Sequence, residues 1–132
     1  MIKLLIRNKI ILTVLLLTLI ILTGCAKDYI KITAVQGKEM IDNGNVIIVD
    51  VREQYEYDEE HIEGALLLPL GEIESNVEKI IPDRQAVIII YCRSGRRSAD
   101  AAKKFVNLGY QNIYDMGGII DWINKGYDTV KY

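Results

Sequence analysis

Two short runs constrain the fold of this chain more than any other feature. Val46-Ile47-Ile48-Val49 and Ala86-Val87-Ile88-Ile89-Ile90-Tyr91 are unbroken apolar stretches rich in β-branched residues. Successive side chains of a strand point to opposite faces, so a half-buried strand alternates apolar with polar. A run with no polar member at either parity reads as a strand covered on both faces, as in a parallel sheet between helices. Helical patterns separate the runs. Thr33 offers an N-cap with Gln36 three residues on, opening a helix to about Asp42 that buries Val35, Met40 and Ile41 and ends at Asn43-Gly44. Gly71 to Ile80 predicts a short helix. Ser98 to Leu108 predicts another, with Ala99, Ala102, Phe105 and Val106 on one face. Tyr29–Ile32, Ala65–Leu68 and Asn112–Tyr114 are shorter strand candidates, and Gly117-Gly118 leads into a last helix that contains Trp122. The expectation is an α/β fold, a single domain with a central, mainly parallel sheet and helices on both faces.

The first residues belong to a different plan. Lys3, Arg7 and Lys9 form a positive region, followed by 13 uncharged, mostly apolar residues from Ile10 to Leu22 and then Leu22-Thr23-Gly24-Cys25. Positive, apolar and small, in that order, is the pattern of an export signal. The apolar run is short of the roughly 20 residues that a spanning helix needs. Leu22 to Cys25 resembles a bacterial lipobox. The resemblance implies diacylglycerol addition to Cys25, cleavage before it and a third acyl chain on the new amine. Residues 1–24 are thus expected to be a lipoprotein signal peptide, 25–29 a lipidated cysteine with a short tether, and 30–130 the domain. Two or three acyl chains suffice for stable anchoring, so the expected location is the extracytoplasmic face of a membrane, at the cell surface or in the periplasm.

From Cys25 to Tyr132 there are 13 basic and 18 acidic residues, a formal charge of −5. That balance argues against a nucleic-acid partner. With Cys25 acylated, Cys92 is the one free thiol: no internal disulfide can form and no cysteine cluster exists to hold zinc. An unpaired thiol outside the cytosol is exposed to oxidation, and its presence invites a functional explanation.

Cys92 lies one residue past the second buried run, where α/β sheets bind ligands. It opens the segment Cys92-Arg93-Ser94-Gly95-Arg96-Arg97-Ser98, with a helix expected immediately after. Loop N–H groups, the unpaired amides of the first helical turn and the positive end of its dipole can converge on one point. Gly95 lets the loop curl, and Arg93, Arg96 and Arg97 add positive charge. These are the surroundings that favour a thiolate and hold an anion beside it.

At these residues the chain resembles the rhodanese family, over essentially all of Ile30 to Tyr127. Cys92 to Arg97 matches the six-residue active loop of pattern Cys-Arg-x-Gly-x-Arg/Thr. Val49-Asp50-Val51-Arg52 is similar to the family's Asp-x-Arg strand end, and His61-Ile62-Glu63-Gly64-Ala65 to its His-Ile-x-Gly-Ala turn. Met116-Gly117-Gly118, Trp122 and Gly126-Tyr127 resemble its closing signature. The resemblance implies a rhodanese-like thiosulfate sulfurtransferase: Cys92 takes sulfur from thiosulfate or a persulfide, becomes a persulfide, and passes the sulfur to a thiol, sulfite or cyanide. It implies no metal and no organic cofactor. Substrate binding falls to Arg93, Ser94, Gly95, Arg96 and Arg97, with Arg97 directed inward and Arg93 at the rim, both ahead of Arg96. Related phosphatases use a loop one residue longer; here the sixth residue after Cys92 is Ser98, which argues against that chemistry.

Asp50 and Arg52 are supporting residues, Asp50 facing the site or bonding its loop and Arg52 pairing with a carboxylate to hold the turn. His61 is expected to pack and bond to backbone, because an ionised thiolate needs no base. Glu60 stands where the family commonly has glycine, which puts the turn geometry in question. The six acids between Glu53 and Glu63 read as a solvated face. An alternative function, a non-turnover sulfur carrier or redox-sensing module, would use that face to dock a partner protein.

Overall fold

The computed structural model describes the backbone of residues 1–21 and 28–132 and the side chains of 1–13 and 28–132. The lipobox-like segment Leu22–Cys25 and most of the expected tether lie outside the described residues. Ile2–Ile21 is one helix, α1. No helix among the described residues is long and apolar enough to cross a membrane.

Residues 28–132 form a single α/β domain. Strands β1 (Ile30–Lys31), β2 (Ile47–Asp50), β4 (Leu66–Leu67), β5 (Val87–Cys92) and β6 (Asn112–Gly118) form a sheet in the order β1-β6-β5-β2-β4. Every pairing in it is parallel. A small antiparallel pair joins β3 (Glu60–His61) to β7 (Val130–Lys131). Helices α2 (Ala34–Asn43), α3 (Gln54–Glu59), α4 (Ile73–Ile80), α5 (Arg96–Asn107) and α6 (Ile119–Asn124) complete the domain. A 3₁₀ turn at Leu70–Glu72 precedes α4.

The two apolar runs behave as their composition demands. In β5, Ile88, Ile90 and Cys92 enter one core with Val49, Val51, Ile73, Val77, Ala101 and Phe105, beneath α4 and α5. Ile89 and Tyr91 enter the other with Ile48, Ala34, Met116, Ile119 and Trp122, beneath α2 and α6. Cys92 therefore shares its face with the helix that follows it. Ile88, Ile89 and Ile90 are fully buried, and each such side chain contributes about 1.5–3 kcal/mol through burial.

Several expectations need correction. Val35 is 45% exposed; Ala34 and Gly37 are the buried residues of α2. The reason is close approach: a Cβ on residue 37 would stand 2.2 Å from Met116 Sδ. The capping box of Thr33 and Gln36 forms as expected. Cys92 is the last residue of β5 rather than the residue beyond it. Helix α5 starts at Arg96, two residues early, and buries Ser98, Ala101, Ala102 and Phe105 while Ala99 is only half-buried. Strand β6 runs on through Gly117-Gly118 instead of stopping at Tyr114. It does so with a bulge: opposite consecutive Ile90 and Tyr91 stand Asp115 and Gly117. Gly117 takes φ +79°, and its N–H donates to Asp115 Oδ1 at 2.9 Å.

Candidate active site around Cys92

The loop is built from both ends. Strand β5 delivers Cys92 at its carboxyl end, and α5 opens at Arg96 with Gly95, three residues past Cys92, as its N-cap. Gly95 has φ +114°, a conformation that side chains resist. That turn aims its N–H back at the strand, and it donates to Cys92 Sγ at 3.0 Å. The fully buried Ser98 locks the same turn, its hydroxyl donating to Gly95 O at 3.0 Å.

A second wall comes from β6 and α6. A Cβ on residue 118 would lie 2.3 Å from Arg93 O and 2.7 Å from Ser94 Cα. Only glycine lets the strand lie so close to the loop backbone. Ile120 N–H also reaches Arg93 O, at 3.4 Å. Cys92 is consequently 1% exposed. A group reaching its sulfur has to be small.

The three arginines part company. Arg97 donates through both terminal nitrogens to Glu56 of α3, at 2.7 and 2.8 Å. The guanidinium expected to point inward at a substrate is here bonded to a carboxylate. Hydrogen bonding to Glu56 raises the Arg97 pKa, against burial, and the Glu56 charge adds to the rise. Glu56 is held down from 4.5 to about 2, first by its hydrogen bonds with Arg97, against burial, and then by the Glu53 N–H. Arg96 points away, with a side chain 81% exposed and 4.0 Å from Asp100. Arg93 is exposed and lines a cleft of about 190 Å³ with Arg52, Glu56, Glu59 and Ile119. Ser94 is exposed.

Asp50 and Arg52 form a separate cluster. Asp50 is fully buried on the face opposite Cys92, paired in register with Tyr91. Its carboxylate accepts Arg52 N–H at 2.9 Å and Arg52 Nη2 at 2.7 Å, and Arg52 Nη2 also donates to Glu60 O at 2.6 Å. Arg52 thus holds the turn as expected, whereas Asp50 does not face the sulfur. Burial works against the Arg52 charge, but the Asp50 hydrogen bond and charge outweigh it and raise its pKa. Burial, with Asp50 beside it, pushes the Tyr91 phenol up, and that hydroxyl accepts Ile62 N–H at 3.1 Å.

The remaining motif residues pack. His61 stacks on Tyr57 with ring centres 3.7 Å apart, and its Nδ1–H donates to Tyr57 O at 2.7 Å. Glu60 adopts φ −163° and ψ 130°, ordinary extended geometry, so its turn needs no glycine. Trp122 packs in the core and donates to Asp128 O at 2.9 Å. The acidic stretch is not a uniform solvated face: Glu56 is buried, and Glu60 accepts the Thr129 hydroxyl and pairs with Lys131. Among the described residues no His, Cys, Asp and Glu gather as a metal site.

Glu56, Asp115 and Gly118 are the site-building residues that sequence reasoning missed. Glu56 had one available signal, the Glu53-x-x-Glu56 spacing that closes the first turn of α3.

The family model described as the rhodanese-like domain matches residues 33–125. The thiosulfate sulfurtransferase PspE of Escherichia coli (strain K12) is 33% identical over 73 residues, covering 55% of this chain and 70% of that protein. The thiosulfate sulfurtransferase GlpE of Coxiella burnetii (strain RSA 331 / Henzerling II) is 32% identical over 95 residues, covering 71% and 87%. A crystal structure of a rhodanese-related protein from Thermoplasma volcanium superposes with TM-score 0.68 at 31% identity, covering 77% of this chain and 98% of that one.

Proposed function

This chain belongs to the rhodanese-like family, and from that premise we propose that it is a sulfurtransferase working through a persulfide on Cys92. The observation that carries the reading is the Gly95 N–H, 3.0 Å from Cys92 Sγ, at the mouth of a helix opening directly after the strand. A donor placed there makes the sulfur a hydrogen-bond acceptor, the role of a thiolate. The positive end of α5 supports the same charge.

Loading uses the outer sulfur of thiosulfate. The Cys92 thiolate attacks it, a bond forms between the two sulfurs, and the bond to the sulfonate sulfur breaks with its electron pair leaving as sulfite. Charge is conserved, from one thiolate and a dianion to one persulfide anion and sulfite. A protein or small-molecule persulfide can load the site in the same way, with a thiolate leaving. In discharge, a thiol, sulfite or cyanide attacks the outer sulfur and the electron pair returns to Cys92. This is covalent, ping-pong catalysis. Arg93 draws the anionic donor to the loop, and Arg97 acts from the side, as part of an ion pair that fixes the loop.

The same proposal places the protein on a membrane. The charges Lys3, Arg7 and Lys9, the apolar run after them and Leu22-Thr23-Gly24-Cys25 support export followed by acylation of Cys25. The mass of the protein recovered from membranes should then equal Cys25–Tyr132 plus acyl groups. An unmodified chain that retains residues 1–24 would overturn this part.

The test of function is turnover. Full-length protein in detergent, given thiosulfate and cyanide, should form thiocyanate many times per Cys92, and Cys92→Ser should form none. Activity that survives in Cys92→Ser contradicts the reading. A single loading, discharged only by a partner protein, would favour the carrier alternative.

A further inference from the structure

The cleft of about 190 Å³ beside the Cys92 loop is crowded with charge: Arg52, Glu56, Glu59, Glu60 and Arg93 all line it. Most of these groups are committed. Arg52 is bonded to Asp50, and Glu56 to Arg97. Glu60 Oε1 accepts the Thr129 hydroxyl at 2.5 Å, and Lys131 Nζ lies 3.4 Å from the same oxygen. Arg93 differs. Among the described residues its exposed side chain forms no hydrogen bond and no ion pair. Opposite charges that share a small cleft attract. Glu59 is exposed, so a pair with it would contribute little. Glu60 is half-buried and its charge is less screened, which makes it the stronger competitor for Arg93. Thr129 and Lys131 are what hold it elsewhere. The Thr129 hydrogen bond keeps the Glu60 carboxyl below the usual carboxylate range, against burial, and Lys131 adds to this.

Both holding residues belong to a weak element. Strand β7 is two residues long and pairs only with β3, which is equally short; such a pair is marginal by itself. Residues 129 and 131 lie beyond the stretch 33–125 that the family model matches, and Glu60 stands where the family commonly has glycine. Neither side of the contact follows the family pattern.

We propose that Thr129 and Lys131 are positioning residues for sulfur loading: by holding the Glu60 carboxylate they keep it off Arg93 and leave that guanidinium free for the anionic donor. The inference rests on the reading of Arg93 as the group that draws the donor and of Cys92 as the persulfide carrier. Released, the carboxylate turns to Arg93 by rotation of its side chain. The Glu60 carbonyl keeps its bond from Arg52 Nη2, so the turn itself stays in place. The strap formed by β7 thus acts on donor binding and leaves the chemistry at Cys92 alone.

The test is kinetic and uses full-length protein with thiosulfate and cyanide. Thr129→Val removes the hydroxyl without changing net charge. It is expected to raise KM for thiosulfate about fivefold, the scale of one lost hydrogen bond to a charged group. Its kcat should stay within about twofold of wild type, the pattern of lost binding. Glu60→Gln alone should keep the wild-type KM, because the charge it removes is already held aside. Thr129→Val combined with Glu60→Gln should also return to the wild-type KM, since no carboxylate remains to take Arg93. A merely structural strap predicts that the combined variant stays impaired. An unchanged KM in Thr129→Val, or a raised KM that persists in the combined variant, overturns the proposal. Lys131→Met, at an exposed position outside both cores, repeats the comparison if Thr129→Val does not fold. The Arg93 Nε–H signal in ¹H–¹⁵N spectra reads the contact without turnover. It should shift in Thr129→Val and return in the combined variant, and a signal that does not move overturns the proposal. A wild type that forms no thiocyanate overturns the persulfide reading instead, and the Arg93 signal still decides where the carboxylate goes.

Discussion

Arg97 and Glu56, 41 residues apart, form a two-pronged ion pair that ties the helix after Cys92 to α3. The side chains are 22% and 9% exposed, so the pair is largely shielded from water. Breaking a buried pair costs about 3–5 kcal/mol, and the partial exposure of Arg97 moderates this to about 2–3 kcal/mol. Glu56→Gln should lower stability by that amount and reduce sulfur loading, both measurable by urea denaturation and a thiosulfate assay. Equal stability to wild type would show that the pair is incidental.

The same pair sets an acid dependence. A carboxyl at about 2 in the fold, against an ordinary 4.5, binds its proton more readily when unfolded. Its stabilising contribution is complete above about pH 4.5 and is lost as pH falls from there toward about 2. The stability gap between wild type and Glu56→Gln should therefore be widest near neutrality and shrink through that window. A gap that grows on acidification would contradict the assignment.

Gly118→Ala should damage the loop more than its size suggests. The added methyl meets backbone, Arg93 O and Ser94 Cα, which has no rotamer through which to yield. Overpacking of this kind costs about 1–3 kcal/mol. Thiosulfate turnover should fall further than stability, because the displaced atoms belong to the loop around Cys92. A variant with wild-type turnover would mean that the contact is slack.

The arginines should separate in kinetics. Arg96→Ala removes a side chain 81% exposed with a loose partner, and surface changes of this sort stay within about 0.5 kcal/mol; turnover should barely move. Arg93→Ala removes a charge from the cleft beside the loop and should raise KM for thiosulfate about tenfold with a smaller change in kcat, the signature of lost binding. The reverse ranking would place the donor elsewhere.

The sheet and the sulfur were legible because they rest on local signals. Val46–Val49 and Ala86–Tyr91 could be buried on both faces only in a parallel sheet, and a cysteine between such a strand and a glycine-bearing basic loop has few structural uses. The contacts that shape the site were harder to read because they join distant segments. Nothing near Arg97 announces that its guanidinium is taken by Glu56, which looked like one acid among six. Gly117-Gly118 has the composition of a strand terminator, yet Asp115 and the positive φ of Gly117 carry β6 through a bulge to the loop. Val35 looked like core by hydropathy alone, but the pressing of Gly37 onto Met116 decided which face of α2 turned inward. Parity misled as well: Asp50 and Cys92 both end buried strands, and their side chains leave on opposite faces.

On the proposed reading, the sulfur beside Gly95 accepts another. Full-length protein incubated with thiosulfate, desalted and weighed intact should gain about 32 Da per chain, the mass of one sulfur atom held covalently. The gain should map to a peptide containing Cys92, vanish on cyanide treatment and be absent from Cys92→Ser. A mass that does not change with thiosulfate or with any persulfide donor, or that changes equally in Cys92→Ser, would contradict the account.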